Sequence, residues 1–233
     1  MSTQKPIENQ DPEAAIEQAL GHTELFIEKH GKMLVVILVA IVVLVGGYFA
    51  YTNLYVAPRS EKASAAMFDA QAQFARDSFA VALNGNGVTL GFNEVIDEFS
   101  GTAQANLAQH YAGICCLHMG EFEKAIGYFE QFDPKNEGVG EVLKAQNLGL
   151  IGDCYVEMEQ TEKGLEYYKK AVQASNNMAT APLFLQKAAM VNLASGNAQA
   201  AVEGFQAIKS QFPTSMIARD IDKYIALAQQ EQK

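Results

Sequence analysis

The hydrophobic residues of this chain form one dense block near the N-terminus and then recur at helical spacing. No charged residue occurs from Met33 to Pro58, and residues 34–45 are all aliphatic or alanine. About 20 apolar residues are enough for a helix to cross a bilayer. Aromatic residues follow the aliphatic block, as they do at membrane interfaces: Tyr48, Phe49, Tyr51 and Tyr55. We therefore predict a transmembrane helix over residues 33–56.

A buried core helix and a cleaved signal peptide are the alternatives to this membrane helix. A core helix would carry polar residues at helical spacing, and the block has none. A signal peptide has a short basic lead and an apolar stretch of about 7–15 residues. Here the preceding residues 1–32 are net acidic and the apolar block is longer. A retained anchor is the prediction that fits both observations.

Residues 1–32 are predicted to be a short tail followed by a juxtamembrane helix. The helix is expected over Pro12–His30, because Asp11-Pro12-Glu13 combines a capping residue, an early proline and an acid near the positive end of the helix dipole. Its apolar stripe is only partial. We expect a solvated lead into the anchor, with a partner-binding helix as the alternative.

Residues 59–233 carry helical patterns that repeat along the chain. Small and aromatic residues recur in register at spacings of 39 and 37 residues. This arrangement predicts successive helix-turn-helix units in which the small residues mark close helix crossings and the aromatic residues fill the space between neighbouring hairpins. The aligned sets are Gly113, Gly152 and Ala189, then Ala125, Gly164 and Ala201, then Phe129, Tyr168 and Phe205.

The repeat pattern resembles the tetratricopeptide repeat (TPR), a helical hairpin with a period of about 34 residues. The longer spacings predict insertions at Asp133–Gly140 and Asn176–Pro182, the family's tryptophan is absent, and Glu159 replaces a turn glycine. The predicted fold is all-α: one transmembrane helix, then a TPR-like solenoid of three to four hairpins. It includes a degenerate first unit over residues 60–100 and a capping helix over residues 214–229. An unrelated helical bundle is the alternative.

Composition and charge narrow the classes of function. The formal net charge is -10 and the sequence pI is about 4.9, which argues against nucleic acid as a partner. No phosphate loop, nucleophile elbow or dinucleotide-binding spacing occurs, so we predict a protein that is not an enzyme and has no cofactor or small-molecule substrate.

A cluster of histidine and cysteine residues is the one candidate for a metal site. It consists of His110, Cys115, Cys116 and His118, but it lacks the usual ligand spacings. We therefore predict buried core thiols and no metal. Cys154 aligns near Cys115 in the next repeat, so a disulfide between two helices stays open as an alternative.

The predicted site is a protein-binding groove. In a TPR array the first helices of successive units line a concave surface, and register assigns the following residues to it: Leu107, His110, Ile114, Leu117, Gln146, Asp153, Val156, Leu183, Gln186, Met190 and Leu193. This face is largely apolar, which favours capture of hydrophobic segments. TPRs that hold a C-terminal carboxylate use several basic and amide groups, of which only Lys187 is present. The alternative is that these residues only pack the superhelix.

The whole arrangement resembles the ancillary subunit of the bacterial SecYEG translocon, an inner-membrane protein with a periplasmic TPR domain. The likeness lies in the order of segments, in Gly-Phe-x-x-Val-Ile at residues 91–96 and in Asn106-Leu107-Ala108. The resemblance implies a C-terminal domain in the periplasm. The sequence does not decide this, because Lys29 and Lys32 balance Arg59 and Lys62 across the span.

The resemblance also implies a function and a set of partners. The expected partners are the Sec translocon, periplasmic chaperones and unfolded client proteins. The expected function is a chaperone-like adaptor at the translocon exit. The alternative is a structural scaffold that links folded cell-envelope proteins without binding unfolded clients.

Overall fold

The computed structural model describes the backbone of residues 12–134 and 139–232, with side chains described for residues 29–134 and 140–232. The predicted N-terminal tail, the Asp11 cap and residues 135–138 of the first predicted insertion lie outside this range. Packing divides the chain into two units, Met1–Pro58 and Arg59–Lys233.

The first unit is a long apolar helix. Helix α1 runs over Pro12–Tyr51 and is followed by a π-helical segment at Thr52–Val56. The described part of the helix begins at Pro12 and does not end at the predicted His30, because Gly31 alone is too weak a helix breaker. Thr52 Oγ1 and Asn53 Nδ2 both donate to the Phe49 carbonyl, at 3.0 and 2.9 Å.

By length and composition, one helix in the described part of the chain could cross a membrane, and none of its apolar window is buried among the described residues. A membrane anchor and a signal sequence would both have these properties. The exposed side chains from Val35 to Val45 are those that the sequence assigned to the bilayer. Their exposure to solvent would be unfavourable in water, which is consistent with an apolar environment.

The second unit is an array of helices, and no strand occurs among the described residues. Helices α5 to α10 form three antiparallel hairpins: hairpin one (α5–α6), hairpin two (α7–α8) and hairpin three (α9–α10). The fold predicted from the sequence, a long apolar helix followed by an all-α repeat region, is confirmed. The helices are α2 Ala57–Phe74, α3 Phe79–Asn84, α4 Phe92–Glu98, α5 Ala103–His118, α6 Phe122–Gln131, α7 Val139–Glu157, α8 Thr161–Ala174, α9 Ala181–Ala194, α10 Ala198–Gln211 and α11 Ile221–Gln230.

The hairpins are held by aromatic rings seated on glycines. A Cβ atom at Gly113 would lie 2.5 Å from the Phe129 ring, and one at Gly152 would lie 2.8 Å from the Tyr168 ring. The sequence predicts these aromatic residues between neighbouring hairpins. Both rings fill space inside their own hairpin, and the Tyr168 ring also stacks on Phe184 of hairpin three, with ring centroids 6.5 Å apart. The missing side chain of each glycine leaves the space that the ring fills.

The turns between paired helices use one backbone conformation. Gly120 and Gly196 have φ angles of 76° and 78°, which glycine adopts without strain. Glu159 occupies the same place in hairpin two with a φ angle of 61°. The replacement of glycine by Glu159 therefore keeps the conformation of the turn, but it places a residue with a side chain in the left-handed region.

Two ends of the array differ from the predicted elements. The degenerate first unit is split into the three helices α2, α3 and α4, of which α2 ends at Phe74 and α3 at Asn84. The predicted capping helix is shorter than expected. Ser215 Oγ accepts the Ala218 N–H, a 3₁₀ turn follows, and α11 begins only at Ile221. Ile221 and Ala228 of this helix are buried.

Candidate functional site

The first helices of the three hairpins meet around a cleft of about 250 Å³, here called the central cleft. It unites five of the eleven groove residues predicted from the sequence, since α5, α7 and α9 each supply part of its wall. Leu150, Phe184 and Lys187 also line it but were missing from the prediction. The five predicted lining residues are His110, Ile114, Gln146, Asp153 and Leu183.

A second cleft of about 360 Å³, here called the distal cleft, lies beside the first. It contains the predicted residues Gln186 and Met190 and shares Asp153 and Lys187 with the central cleft. Its wall is completed by residues that the sequence did not assign to the groove: Tyr168, Val191 and Tyr224. Met190 is 41% exposed and Leu183 is 36% exposed, so both are accessible to a partner.

Four predicted groove residues lie outside both clefts. Leu107 lines a separate depression beside Pro134. Leu117 packs against the main core, and Leu193 packs against the terminal core around Phe205. Val156 lies against Gly164 of α8, where a Cβ would come within 2.5 Å of it. Register alone assigned these residues to a shared face, but the rotation and crossing of the helices separate them.

Asp153 and Lys187 form an ion pair at the boundary of the two clefts. Lys187 Nζ lies 2.6 Å from Asp153 Oδ2 and 2.8 Å from Oδ1, and the Tyr168 hydroxyl donates to Oδ1 at 2.7 Å. The side chains of Lys187 and Asp153 are 36% and 21% exposed. The centre of the groove is therefore polar but balanced in charge. Lys187 could have been found in the sequence, because it lies one helical turn after Leu183.

Burial of the Tyr168 ring and the negative charge of Asp153 both raise the pKa of Tyr168 well above its ordinary value. The phenol therefore stays protonated and acts as a hydrogen-bond donor. This bond orients the carboxylate of Asp153, which then presents both oxygens to Lys187. The three side chains form one connected polar network among the apolar and polar residues that line the two clefts.

His110 connects hairpin one to hairpin two. Asn147 Nδ2 donates to the Phe129 carbonyl at 2.7 Å, so its Oδ1 is left to accept from His110 Nδ1, at 2.9 Å. Burial lowers the pKa of His110, and the hydrogen bond to Asn147 opposes this only partly. The neutral ring packs beside Phe132, with ring centroids 5.1 Å apart. His110 is thus both a wall of the central cleft and a structural link.

The histidine and cysteine residues do not converge on a metal. His118 stacks on Phe79 with ring centroids 4.3 Å apart, while His110 is held by Asn147. Across residues 12–134 and 139–232, no three of His, Cys, Asp or Glu come together as metal ligands would. The thiols of Cys115, Cys116 and Cys154 are free and buried. Burial raises the pKa of these thiols to about 12, 11 and 12 respectively, so they are poor nucleophiles.

Comparison with known families gives one match. The tetratricopeptide repeat family matches residues 185–215, which extend from the middle of α9 through α10. No curated protein matches the chain. The family match falls on the hairpin that supplies Met190 and Lys187 to the clefts. Repeats of this family are typically non-catalytic and bind other proteins.

Proposed function

We propose that this protein is a membrane-anchored module that binds other proteins through the clefts on its first helices. Residues 33–56 are the anchor in this proposal and residues 59–233 are the binding domain, with residues 1–32 as a lead. The tetratricopeptide repeat match and the apolar N-terminal helix support the two parts of the assignment. The proposal includes no catalysis, no cofactor and no nucleic-acid partner.

A chaperone-like adaptor at the exit of the Sec translocon is the more specific function that we propose. The resemblance to the ancillary subunit of that translocon supports it and implies that the binding domain lies in the bacterial periplasm. Its partners would be the translocon, periplasmic chaperones and newly translocated, unfolded chains. These partners follow from the resemblance and not from the clefts alone.

The observation that carries the proposal is the convergence of α5, α7 and α9 on one apolar wall with accessible side chains. Leu183 and Met190 are exposed beside the buried rings of Phe184 and Tyr168. Methionine is unbranched and adapts its shape to different apolar partners. Such a surface suits segments that share hydrophobicity but not sequence, as unfolded clients do.

A scaffold that joins folded envelope proteins is the alternative function. It is favoured by the position of Ile114 and Leu117, which are half-buried and pack against the main core. If most apolar residues of the first helices pack against the core, fewer of them are free to bind unfolded clients. A scaffold would bind one folded partner at a matched surface and would ignore unfolded chains.

The test compares a double variant with a control variant of the full chain. Both are assayed in membranes by crosslinking to an unfolded model client. Leu183→Ser with Met190→Ser removes two accessible apolar contacts, and each aliphatic side chain contributes about 1.5–3 kcal/mol when buried. We expect at least about a tenfold loss of client binding, since about 1.4 kcal/mol corresponds to a factor of ten.

Leu227→Ser is the matched control, because Leu227 is 45% exposed on α11 and lines neither cleft. It should leave client binding unchanged. Equal binding by the double variant and the parent would exclude the clefts as the binding site. Retention of a folded partner without capture of unfolded client would favour the scaffold.

A further inference from the structure

The polar centre of the groove has a consequence for which segment of a partner it can hold. Lys187 is the cation that both clefts share, and its ammonium group already lies within 2.8 Å of both oxygens of Asp153. A carboxylate that approached this lysine would come close to the carboxylate of Asp153. Like charges at such a distance repel, and more strongly in a partly desolvated cleft than in water.

The geometry leaves Asp153 no freedom to move away from an incoming anion. Tyr168 donates to Asp153 Oδ1 at 2.7 Å, and the raised pKa of this phenol keeps its proton in place. The Tyr168 ring is itself seated on Gly152, one residue before Asp153 in α7. The carboxylate is therefore fixed between Lys187 and Tyr168.

The charge of the whole domain acts in the same direction. Residues 59–233 contain 21 acidic and 14 basic side chains. An acidic surface lowers the local concentration of anionic segments and raises that of basic ones, and it leaves that of neutral segments unchanged. The central cleft adds apolar walls on one side of the ion pair, from Ile114, Leu150 and Phe184, and the distal cleft adds Met190 and Val191 on the other.

We propose that the groove takes an internal, uncharged apolar segment of an unfolded chain and rejects a free C-terminal carboxylate, with Asp153 as the residue that determines this choice. The inference rests on the proposed binding function of the clefts. One apolar side chain occupies the central cleft and another the distal cleft. A backbone carbonyl between them accepts a hydrogen bond from the Lys187 ammonium group, which has three N–H donors. The specificity comes from a repulsive element as much as from attraction.

The experiment compares two forms of one fluorescent peptide made of Leu, Phe, Ser and Gly, with either a C-terminal amide or a free C-terminal carboxylate. Binding is measured by fluorescence anisotropy on the full chain in lipid nanodiscs, against empty nanodiscs. We expect the wild type to bind the amide several-fold more tightly. Asp153→Asn keeps an acceptor for Tyr168 but removes the charge, so it should tighten binding of the carboxylate form roughly tenfold.

Asp222→Asn is the matched control. Asp222 pairs with Lys209 at 2.6 Å, both side chains are more than half exposed, and neither residue lines a cleft. This variant should leave the preference for the amide unchanged. Lys187→Gln provides a second test should Asp153→Asn fold poorly. It leaves Asp153 without its cation and should widen the preference for the amide.

The possible results distinguish a failure of this inference from a failure of the proposed binding function on which it rests. If the wild type binds neither peptide above empty nanodiscs, the proposed binding function fails and the inference fails with it. If the wild type binds both forms equally and Asp153→Asn changes nothing, the groove binds peptides but Asp153 does not select them. A wild-type preference for the carboxylate, or a narrower preference in Lys187→Gln, would also overturn the inference.

Discussion

At the scale of single residues, two side chains occupy positions that the surrounding structure makes unfavourable. Glu159 has a φ angle of 61° in a turn where hairpins one and three use glycine. The left-handed conformation costs a residue with a side chain roughly 1–2 kcal/mol. His110 is buried with a lowered pKa beside Asn147. Both residues give predictions that can be measured as changes in stability.

Glu159→Gly should stabilise the binding domain. The substitution relieves the strained φ angle, and the loss of about 0.5–1 kcal/mol from the greater flexibility of glycine in the unfolded chain only partly cancels that gain. Gly196→Ala, at the same place in hairpin three, should destabilise the domain by about 1 kcal/mol. Chemical denaturation of the full chain measures both. If Glu159→Gly lowers the stability as much as Gly196→Ala does, the strain argument is wrong.

Acidification should destabilise the domain through His110. Its folded-state pKa is below the ordinary value of 6.5, so the unfolded state binds the proton more readily. The stability is therefore complete above about pH 6.5 and falls as the pH drops below that value toward the folded pKa. Thermal melts of His110→Gln between pH 5 and pH 7.5 should show a weaker dependence on pH than the parent. A dependence on pH that is as steep in His110→Gln as in the parent would contradict this role of His110.

At the scale of elements, the paired helices approach closely where one of them lacks a side chain. Gly152 of α7 faces the Tyr168 ring of α8 and lies near the Gly164 carbonyl, where a Cβ would be 3.2 Å from the oxygen. Gly127 of α6 faces open space, with no atom within 4 Å of its Cβ position. Gly152 is thus closely packed, whereas Gly127 has room for a side chain.

Gly152→Ala should destabilise the domain and Gly127→Ala should stabilise it. Overpacking against Tyr168 typically costs about 1–3 kcal/mol, more than the roughly 1 kcal/mol that alanine gains over glycine in a helix. At Gly127 only the gain in helix propensity remains. Midpoints of chemical denaturation measure both changes. A Gly152→Ala variant as stable as Gly127→Ala would mean that the helices do not cross at this glycine.

At the scale of the whole molecule, the chain combines an apolar helix with a helical repeat unit. The helix is long and apolar enough to cross a membrane, and charge does not decide which side carries residues 59–233, because Lys29 and Lys32 balance Arg59 and Lys62. The orientation that we propose comes from the resemblance to the translocon subunit. It can be tested without knowledge of any partner.

Protease added to spheroplasts should digest residues 59–233 if this unit faces the periplasm. The full chain should remain in the membrane fraction after carbonate extraction, because a bilayer-spanning helix is not released by high pH. A cytoplasmic protein in the same sample controls for lysis. Protection of the C-terminal unit until the cells are lysed would reverse the proposed orientation. Release of that unit as a soluble fragment from untreated cells would identify the apolar helix as a signal sequence.

Features that depend on local composition and period can be predicted from the amino-acid sequence alone. The apolar block predicts α1, because an uninterrupted run of aliphatic residues needs no tertiary context to be recognised. The register of small and aromatic residues predicts the hairpins, and it identifies Gly113 and Gly152 as close crossings, which the structure confirms. The left-handed turn at Glu159 also follows from its alignment with two turn glycines.

Which groove residues share a cleft depends on how the helices pack against one another. Register places Val156 and Asp153 on one helix face, but Val156 turns toward Gly164 while Asp153 meets Lys187, which is 34 residues away along the chain. A contact of this kind depends on the rotation of α7 relative to α9, and helix period alone does not contain that rotation. The positions of the Phe129 and Tyr168 rings also depend on tertiary structure, because each ring fills the space that a glycine leaves on the facing helix.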